Sequence, residues 1–171
     1  GVFNIRTMKI AIIKYNAGNI RSVSFALRRL GYEARVTDDF DFIRLADRVI
    51  FPGVGEASTT MNYLKKHGID QLLRELSQPV LGICLGLQLM CNHSEEGDTP
   101  CLGLFDVQVR RFVPGGKIPH MGWNSLDNMS GPLFRSLNPG PFVYFVHSYY
   151  AELSGYTVAS CEYNNTFSAS L

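Results

Sequence analysis

One ten-residue stretch limits what this chain can fold into more than any other: Pro79-Val80-Leu81-Gly82-Ile83-Cys84-Leu85-Gly86-Leu87-Gln88. Apolar and small residues run up to Cys84, and an amphipathic helical pattern begins just beyond it. Glycines stand two before and two after the cysteine, so the segment reads Gly-x-Cys-x-Gly, a nucleophile elbow with sulfur in place of the usual serine oxygen. A strand that turns at once into a helix forces its apex residue into strained backbone angles and brings flanking chain so close that a Cβ would collide. The sulfur is thereby predicted to stand over the C-terminal edge of a sheet, at a helix start whose N–H groups have no partner within the helix. A lone free cysteine is more often one further small, buried apolar residue. The two glycines, with a strand before and a helix after, favour the nucleophile.

The segments before the elbow supply that sheet. Lys9-Ile10-Ala11-Ile12-Ile13 is a short apolar run of the kind a strand covered on both faces needs. Tyr15-Asn16-Ala17-Gly18-Asn19 reads as a turn with Asn19 as candidate N-cap. Ile20, Val23, Leu27 and Leu30 then recur on one helical face, ended by Gly31. A strand follows at 33–37, a short helix at 42–46 and a third strand at 48–51. This alternation predicts a parallel α/β sheet with right-handed crossovers. Pro52-Gly53-Val54-Gly55 leaves the third strand at its C-terminal end, where open α/β sheets form sites, so it should share an edge with Cys84. Two helices, 56–66 and 69–76, lead to the elbow strand.

Beyond the elbow the pattern changes. Ser94-Glu95-Glu96-Gly97-Asp98 is a polar loop. Phe105–Val109 alternates as a half-buried strand does, 122–126 and 142–146 read as further strands, and 156–163 with 166–171 as a hairpin across Asn164-Asn165. These strands are expected to extend the sheet begun by the first half. The fold class is α/β, a mostly parallel open sheet flanked by helices with added strands in the C-terminal half.

A chain of 171 residues is long enough for one domain with a full core. Its 16 basic and 15 acidic side chains nearly cancel, so nothing global favours nucleic acid or an anionic membrane. No apolar run approaches the roughly 18 residues of a spanning helix. Cys84, Cys91, Cys101 and Cys161 show no Cys-x-x-Cys spacing, which argues against zinc, and a chain of this kind needs no disulfide framework. No cofactor is implied, and a reducing, cytoplasmic compartment is expected. Residues 1–7 precede a plausible start at Met8 and read as a vector remnant, leaving 8–171 as the domain.

Five segments then stand together: Lys14–Asn19, Pro52-Gly53-Val54-Gly55, Gly82–Gln88, Ile118-Pro119-His120-Met121-Gly122-Trp123-Asn124, and Tyr144-Phe145-Val146-His147-Ser148-Tyr149. In order and approximate spacing they resemble the class I, triad-type glutamine amidotransferases, with flavodoxin-like folds. Within that family, the Pro-His-Met-Gly-Trp-Asn segment resembles the glutaminase subunits of imidazole glycerol phosphate synthases of histidine biosynthesis. The resemblance implies that Cys84 attacks the side-chain amide of glutamine and that water hydrolyses the thioester. It implies an oxyanion site from the N–H of Leu85 and the Gly53-Val54 peptide, the latter reorienting before it donates, which would couple activity to a partner. It implies that Gln88, Glu96, Ser148 and Tyr149 hold glutamine. It further implies that Asp98, His120, Trp123 and Tyr144 face a (β/α)₈-barrel cyclase subunit to which ammonia passes.

Read without the resemblance, Glu96 is an ordinary solvated carboxylate, Trp123 a core residue, and His120 and His147 structural histidines. Gln88 lies four residues past Cys84, on the same helical face.

The chain departs from the family in two places. The Phe-His-Pro-Glu segment that completes the triad is absent, and none of His67, His93, His120 and His147 precedes Pro-Glu. A helix N-terminus gives an anion roughly 0.3–1 kcal/mol, less than one unit on a thiol at about 1.36 kcal/mol per unit. Loss of a triad base costs on the order of 10⁴–10⁶ in turnover. The segment Val113-Pro114-Gly115-Gly116-Lys117 is also shorter than the family's. Both gaps are read as residues missing here, near Gly115 and after Leu171. The competing readings are a non-catalytic amidotransferase-like binding domain and a cysteine hydrolase of different substrate.

Overall fold

The computed structural model describes residues 7–16 and 19–171; residues 1–6 of the expected vector remnant, and Ala17 and Gly18 of the expected turn, lie outside the described residues. The chain divides into two compact units, residues 1–87 and 88–171.

The N-terminal unit alternates strand and helix as the apolar pattern predicts. It runs β1 (Ile10–Ile13), α1 (Ile20–Arg29), β2 (Ala34–Thr37), α2 (Phe40–Leu45), β3 (Arg48–Phe51), α3 (Ala57–Lys66), α4 (Ile69–Glu75) and β4 (Val80–Gly82), then enters α5 (Leu85–Met90). The strands form a parallel sheet in the order β2-β1-β3-β4, with Ile50 opposite Leu81 and Phe51 opposite Gly82. All four residues of β1 are buried, as a strand covered on both faces requires. Ile20, Val23 and Leu27 of α1 pack on Ile10, Ile12 and Ile50. Leu30 was expected on that face but is 72% exposed. The helix ends at Arg29 and Gly31 turns the chain at φ +84°, so Leu30 leaves the helical stripe.

The starts of α2 and α3 are fixed by side-chain acceptors. Asn19 occupies the N-cap position of α1, but its side chain makes no capping bond. Asp39 does cap α2, accepting from the N–H groups of Asp41 and Phe42, so that helix starts two residues before the apolar pattern suggests. Glu56 caps α3, accepting from the backbone and the hydroxyls of both Ser58 and Thr59.

The C-terminal unit is built of β5 (His93–Ser94), β6 (Thr99–Pro100), β7 (Gln108–Arg111), β8 (His120–Ser125), β9 (Phe142–His147), β10 (Tyr149–Ala151), β11 (Ala159–Tyr163) and β12 (Asn165–Ser170), with a 3₁₀ turn at Pro132–Phe134. These strands do not extend the parallel sheet. They pair among themselves, six in the order β11-β12-β10-β7-β5-β6 and two as the ribbon β8-β9. The pairs β5–β6 and β11–β12 are antiparallel hairpins across tight turns, and β5 also pairs with β7 in parallel. The β11–β12 hairpin turns at Asn164, at φ +59°. The strand expected at 105–109 starts only at Gln108, although Val107 and Val109 are buried and Phe105 packs with them as the alternation predicts.

A second cluster in this unit is aromatic: Phe112, Cys161 and Phe167 are buried, with Phe145, Tyr150 and Tyr163 against them. Among the described residues no helix is long and apolar enough to cross a membrane, and no group of three or more His, Cys, Asp and Glu side chains is placed to hold a metal ion.

Candidate functional site

Cys84 sits between β4 and α5 with φ +54°, in the left-handed region that a residue with a Cβ rarely adopts. The turn is tight because β3 and the start of α5 nearly touch. A Cβ on Gly86 would fall against the Phe51 carbonyl oxygen, with Phe51 C at 3.0 Å. One on Gly53 would lie 2.5 Å from the Gly86 nitrogen and 2.8 Å from Leu85 Cβ. Backbone on one side and strand on the other leave neither clash room to relax, so both positions need glycine. Of the four free cysteines only Cys84 is exposed; Cys91, Cys101 and Cys161 are buried. Burial pushes the Cys91 thiol up to about 12 and that of Cys161 up to about 11, which makes them inert packing residues.

The Cys84 thiol reaches solvent, yet enough protein surrounds its sulfur that desolvation also raises its pKa. Each of the four imidazoles makes a hydrogen bond within its own unit. His67 bonds the Tyr63 carbonyl, His93 bonds Asp98, and His120 bonds His147. In this arrangement Cys84 is a thiol at neutral pH, awaiting a base to become a nucleophile.

Gly53, Val54 and Leu85 were expected to supply oxyanion donors. The N–H of Leu85 is not free: it donates to the Gly53 carbonyl at 3.3 Å. In a trans peptide the C=O and N–H point in opposite directions. With the Gly53 oxygen turned toward Leu85, the Val54 N–H of the same peptide is turned away. Both donors are thus off in this conformation, one occupied and one misdirected. Two side chains fix the ends of the loop. The Tyr15 hydroxyl, itself buried, donates to the Pro52 carbonyl, and Glu56 closes the far end as the α3 cap. The four donor groups of Ser58 and Thr59 hold the Glu56 carboxyl down at about 2. Val54, between these anchors, is 52% exposed.

The residues expected to hold glutamine lie in the C-terminal unit. Gln88 Nε2 donates to the Tyr149 carbonyl at 3.0 Å. Tyr149 opens β10 opposite Arg111, and the Ser148 carbonyl accepts from the Phe112 N–H at 3.1 Å. Glu96 sits in the tight β5–β6 turn, its N–H bonded to Ser94 Oγ and its carbonyl to Thr99 Oγ1. Gln88, Ser148 and Tyr149 are therefore brought together directly.

The ribbon β8–β9 sorts its residues by alternation. Met121 lies opposite Val146, Trp123 opposite Tyr144, and Ser125 opposite Phe142. The hydrophobic members of these pairs are all exposed, Trp123 at 69% and Tyr144 at 54%, with the two rings edge to face. Asp98 is exposed as well, at φ +46°. His120 departs from the expectation that it shares this outward surface. It belongs to the other alternation, is 3% exposed, and stacks between Phe145 and Tyr163 at 4.7 and 3.9 Å. A histidine one residue from an exposed Met in a strand must point to the opposite face.

Sequence reasoning missed Tyr15 and Glu56 as loop anchors and the direct bond between His120 and His147. The last was within reach: in register, the Pro-His-Met-Gly-Trp-Asn and Phe-Val-His segments place the two histidines opposite each other.

Comparison with known proteins agrees with the elbow. The family model for class-I glutamine amidotransferases matches residues 11–169. The chain is 56% identical over 167 residues to the imidazole glycerol phosphate synthase subunit HisH of Bacteroides thetaiotaomicron, and 58% identical over 167 residues to that of Bacteroides fragilis. Each match covers 96% of this chain and 85% of the relative. A crystallised glutamine amidotransferase, 21% identical, superimposes with a TM-score of 0.68 over 87% of this chain and 78% of its own, which shows the common fold. The chain belongs to the class I glutamine amidotransferase family.

Proposed function

We infer that this chain is the glutaminase subunit of an imidazole glycerol phosphate synthase, hydrolysing glutamine to glutamate and ammonia for histidine biosynthesis. The observation that carries the reading is Cys84, the one exposed cysteine, held at positive φ in a turn where Gly53 and Gly86 tolerate no Cβ. The Cys84 sulfur attacks the side-chain carboxamide carbon, and the C–N bond breaks as the proton given up by the thiol passes to the departing nitrogen, which leaves as ammonia. Water then cleaves the thioester to glutamate and regenerates the thiol. The negative oxygen formed at each addition needs N–H donors about 3 Å away. On this reading the Gly53-Val54 peptide turns over, freeing the Leu85 N–H and aiming that of Val54 at the oxyanion. Gln88, Glu96, Ser148 and Tyr149 hold the substrate.

The partner is a (β/α)₈-barrel cyclase, giving a cytoplasmic heterodimer. The outward face of β8–β9 supports a docking role, because an exposed apolar patch of this kind is unusual on a surface with no partner. Trp123 and Tyr144 would be buried there and Asp98 would add a charged contact. His120 lies behind that face and supports it from within.

The test is a steady-state glutaminase assay with the cyclase and its ligand. Turnover that depends on the cyclase and vanishes in Cys84→Ala is expected. A rate no higher than that of Cys84→Ala would leave a glutamine-binding or docking domain instead.

A further inference from the structure

Behind the exposed ribbon face runs a chain of five polar groups, all in the C-terminal unit. Asn124 Nδ2 lies 3.4 Å from His120 Nε2, His120 Nδ1 lies 2.9 Å from His147 Nε2, and His147 Nδ1 lies 2.7 Å from the Tyr149 carbonyl. That same carbonyl accepts from Gln88 Nε2. The direction of every proton in this chain follows from its end. A carbonyl only accepts, so His147 carries its proton on Nδ1. Neutral His147 then has a bare Nε2, which must accept from His120 Nδ1–H. His120 in turn has a bare Nε2, facing the amide of Asn124. Asn124 is itself fixed, because its Oδ1 accepts from the Ser125 N–H and its Nδ2 donates to the Glu162 carbonyl. Burial holds both imidazoles neutral, pulling His120 down to about 4 and His147 below its usual value.

The far end of the chain is the one that matters for glutamine. His147 bonds the carbonyl two residues ahead of it, clamping the bend that carries Ser148 between β9 and β10. The Tyr149 oxygen thus has both lone pairs used, by His147 and by Gln88. Its hold on Gln88 Nε2 fixes which way that carboxamide is turned.

We propose that His147, oriented by His120, is a positioning residue for glutamine: it clamps the Ser148 bend and fixes the Tyr149 carbonyl that sets the orientation of Gln88. The role rests on the reading of Gln88, Ser148 and Tyr149 as glutamine-holding residues. His147 touches no reacting atom and acts only through the bend and its carbonyl.

Two measurements on the full chain test this. Nitrogen NMR of the histidine rings at neutral pH should find both His120 and His147 protonated at Nδ1, the minor tautomer of free imidazole; protonation of His147 at Nε2 alone overturns the proposal without any substitution. Calorimetric glutamine binding then compares His147→Leu with His147→Asn, whose amide nitrogen can stand where Nδ1 stood. Loss of one hydrogen bond in His147→Leu should weaken binding roughly five- to tenfold, with His147→Asn recovering most of it. Equal affinity in wild type and His147→Leu, or equal weakening in both variants, overturns the clamp. A wild-type chain that binds no glutamine at all would instead sink the functional reading on which the clamp rests, even with both rings protonated at Nδ1.

Discussion

Acid should destabilise the C-terminal unit through His120 well before its carboxylates titrate. The imidazole is 3% exposed and stacked between Phe145 and Tyr163, and burial together with His147 lowers its pKa from 6.5 to about 4. The titratable groups facing it are His147 of β9 and Tyr163 of β11, and among the described residues no carboxylate bonds either imidazole. An unfolded chain takes up this proton as pH falls through 6.5, whereas the folded chain resists until about 4. The neutral-ring contribution is therefore complete above the unfolded pKa, lost progressively below it, and fully lost below the folded one. At about 1.36 kcal/mol per unit the span is worth about 3 kcal/mol, of which about 2 kcal/mol disappears between about pH 7 and about pH 5. Urea unfolding followed by circular dichroism, in wild type and in His120→Asn, isolates this share because every other group titrates in both. The wild type should lose about 2 kcal/mol more than the variant over that interval. Parallel losses in the two proteins would refute the buried neutral ring.

Gly86→Ala should cost about 3 kcal/mol or more in the same unfolding assay, since its Cβ meets the Phe51 backbone rather than a movable side chain. Glu56→Gln should weaken the α3 cap by about 1 kcal/mol near neutral pH. Because its folded pKa of about 2 lies below the ordinary 4.5, that difference should fade as pH falls from 4.5 toward 2. Tyr144→Ala, at an exposed position, should change unfolding by no more than about 0.5 kcal/mol. It should nonetheless weaken cyclase binding by isothermal calorimetry by about 1 kcal/mol or more; unchanged affinity would remove the ribbon from the docking surface.

How much of this could be read in the sequence varied with the distance over which each feature is decided. The elbow was fully legible, because strand, apex and helix are contiguous, although the backbone that forbids a Cβ on Gly86, at Phe51, lies far off in the chain. That β1 to β4 run parallel was legible too, since each reads as a separate strand divided from the next by a helix, but their order across the sheet, β2-β1-β3-β4, was not. The start of α2 was not legible either, since Asp39 caps through side-chain bonds that leave no apolar trace, whereas α1, α3 and α4 start within a residue of the expected positions. The closing of the C-terminal strands on themselves escaped because alternation gives the face of a strand but not its neighbours. The state of the oxyanion donors could not be read from the residues themselves, although the resemblance implied a Gly53-Val54 peptide that reorients before it donates. One peptide orientation decides it, and the residues Gly53 and Val54 permit both.

The chain contains a single tryptophan, and it is Trp123, 69% exposed and edge-on to Tyr144. Water around an indole shifts its emission to the red, and exclusion of that water returns it to the blue. The native polypeptide thus has its own optical probe at the centre of the apolar ribbon, so association with a second subunit can be timed in a stopped-flow instrument without attaching a dye.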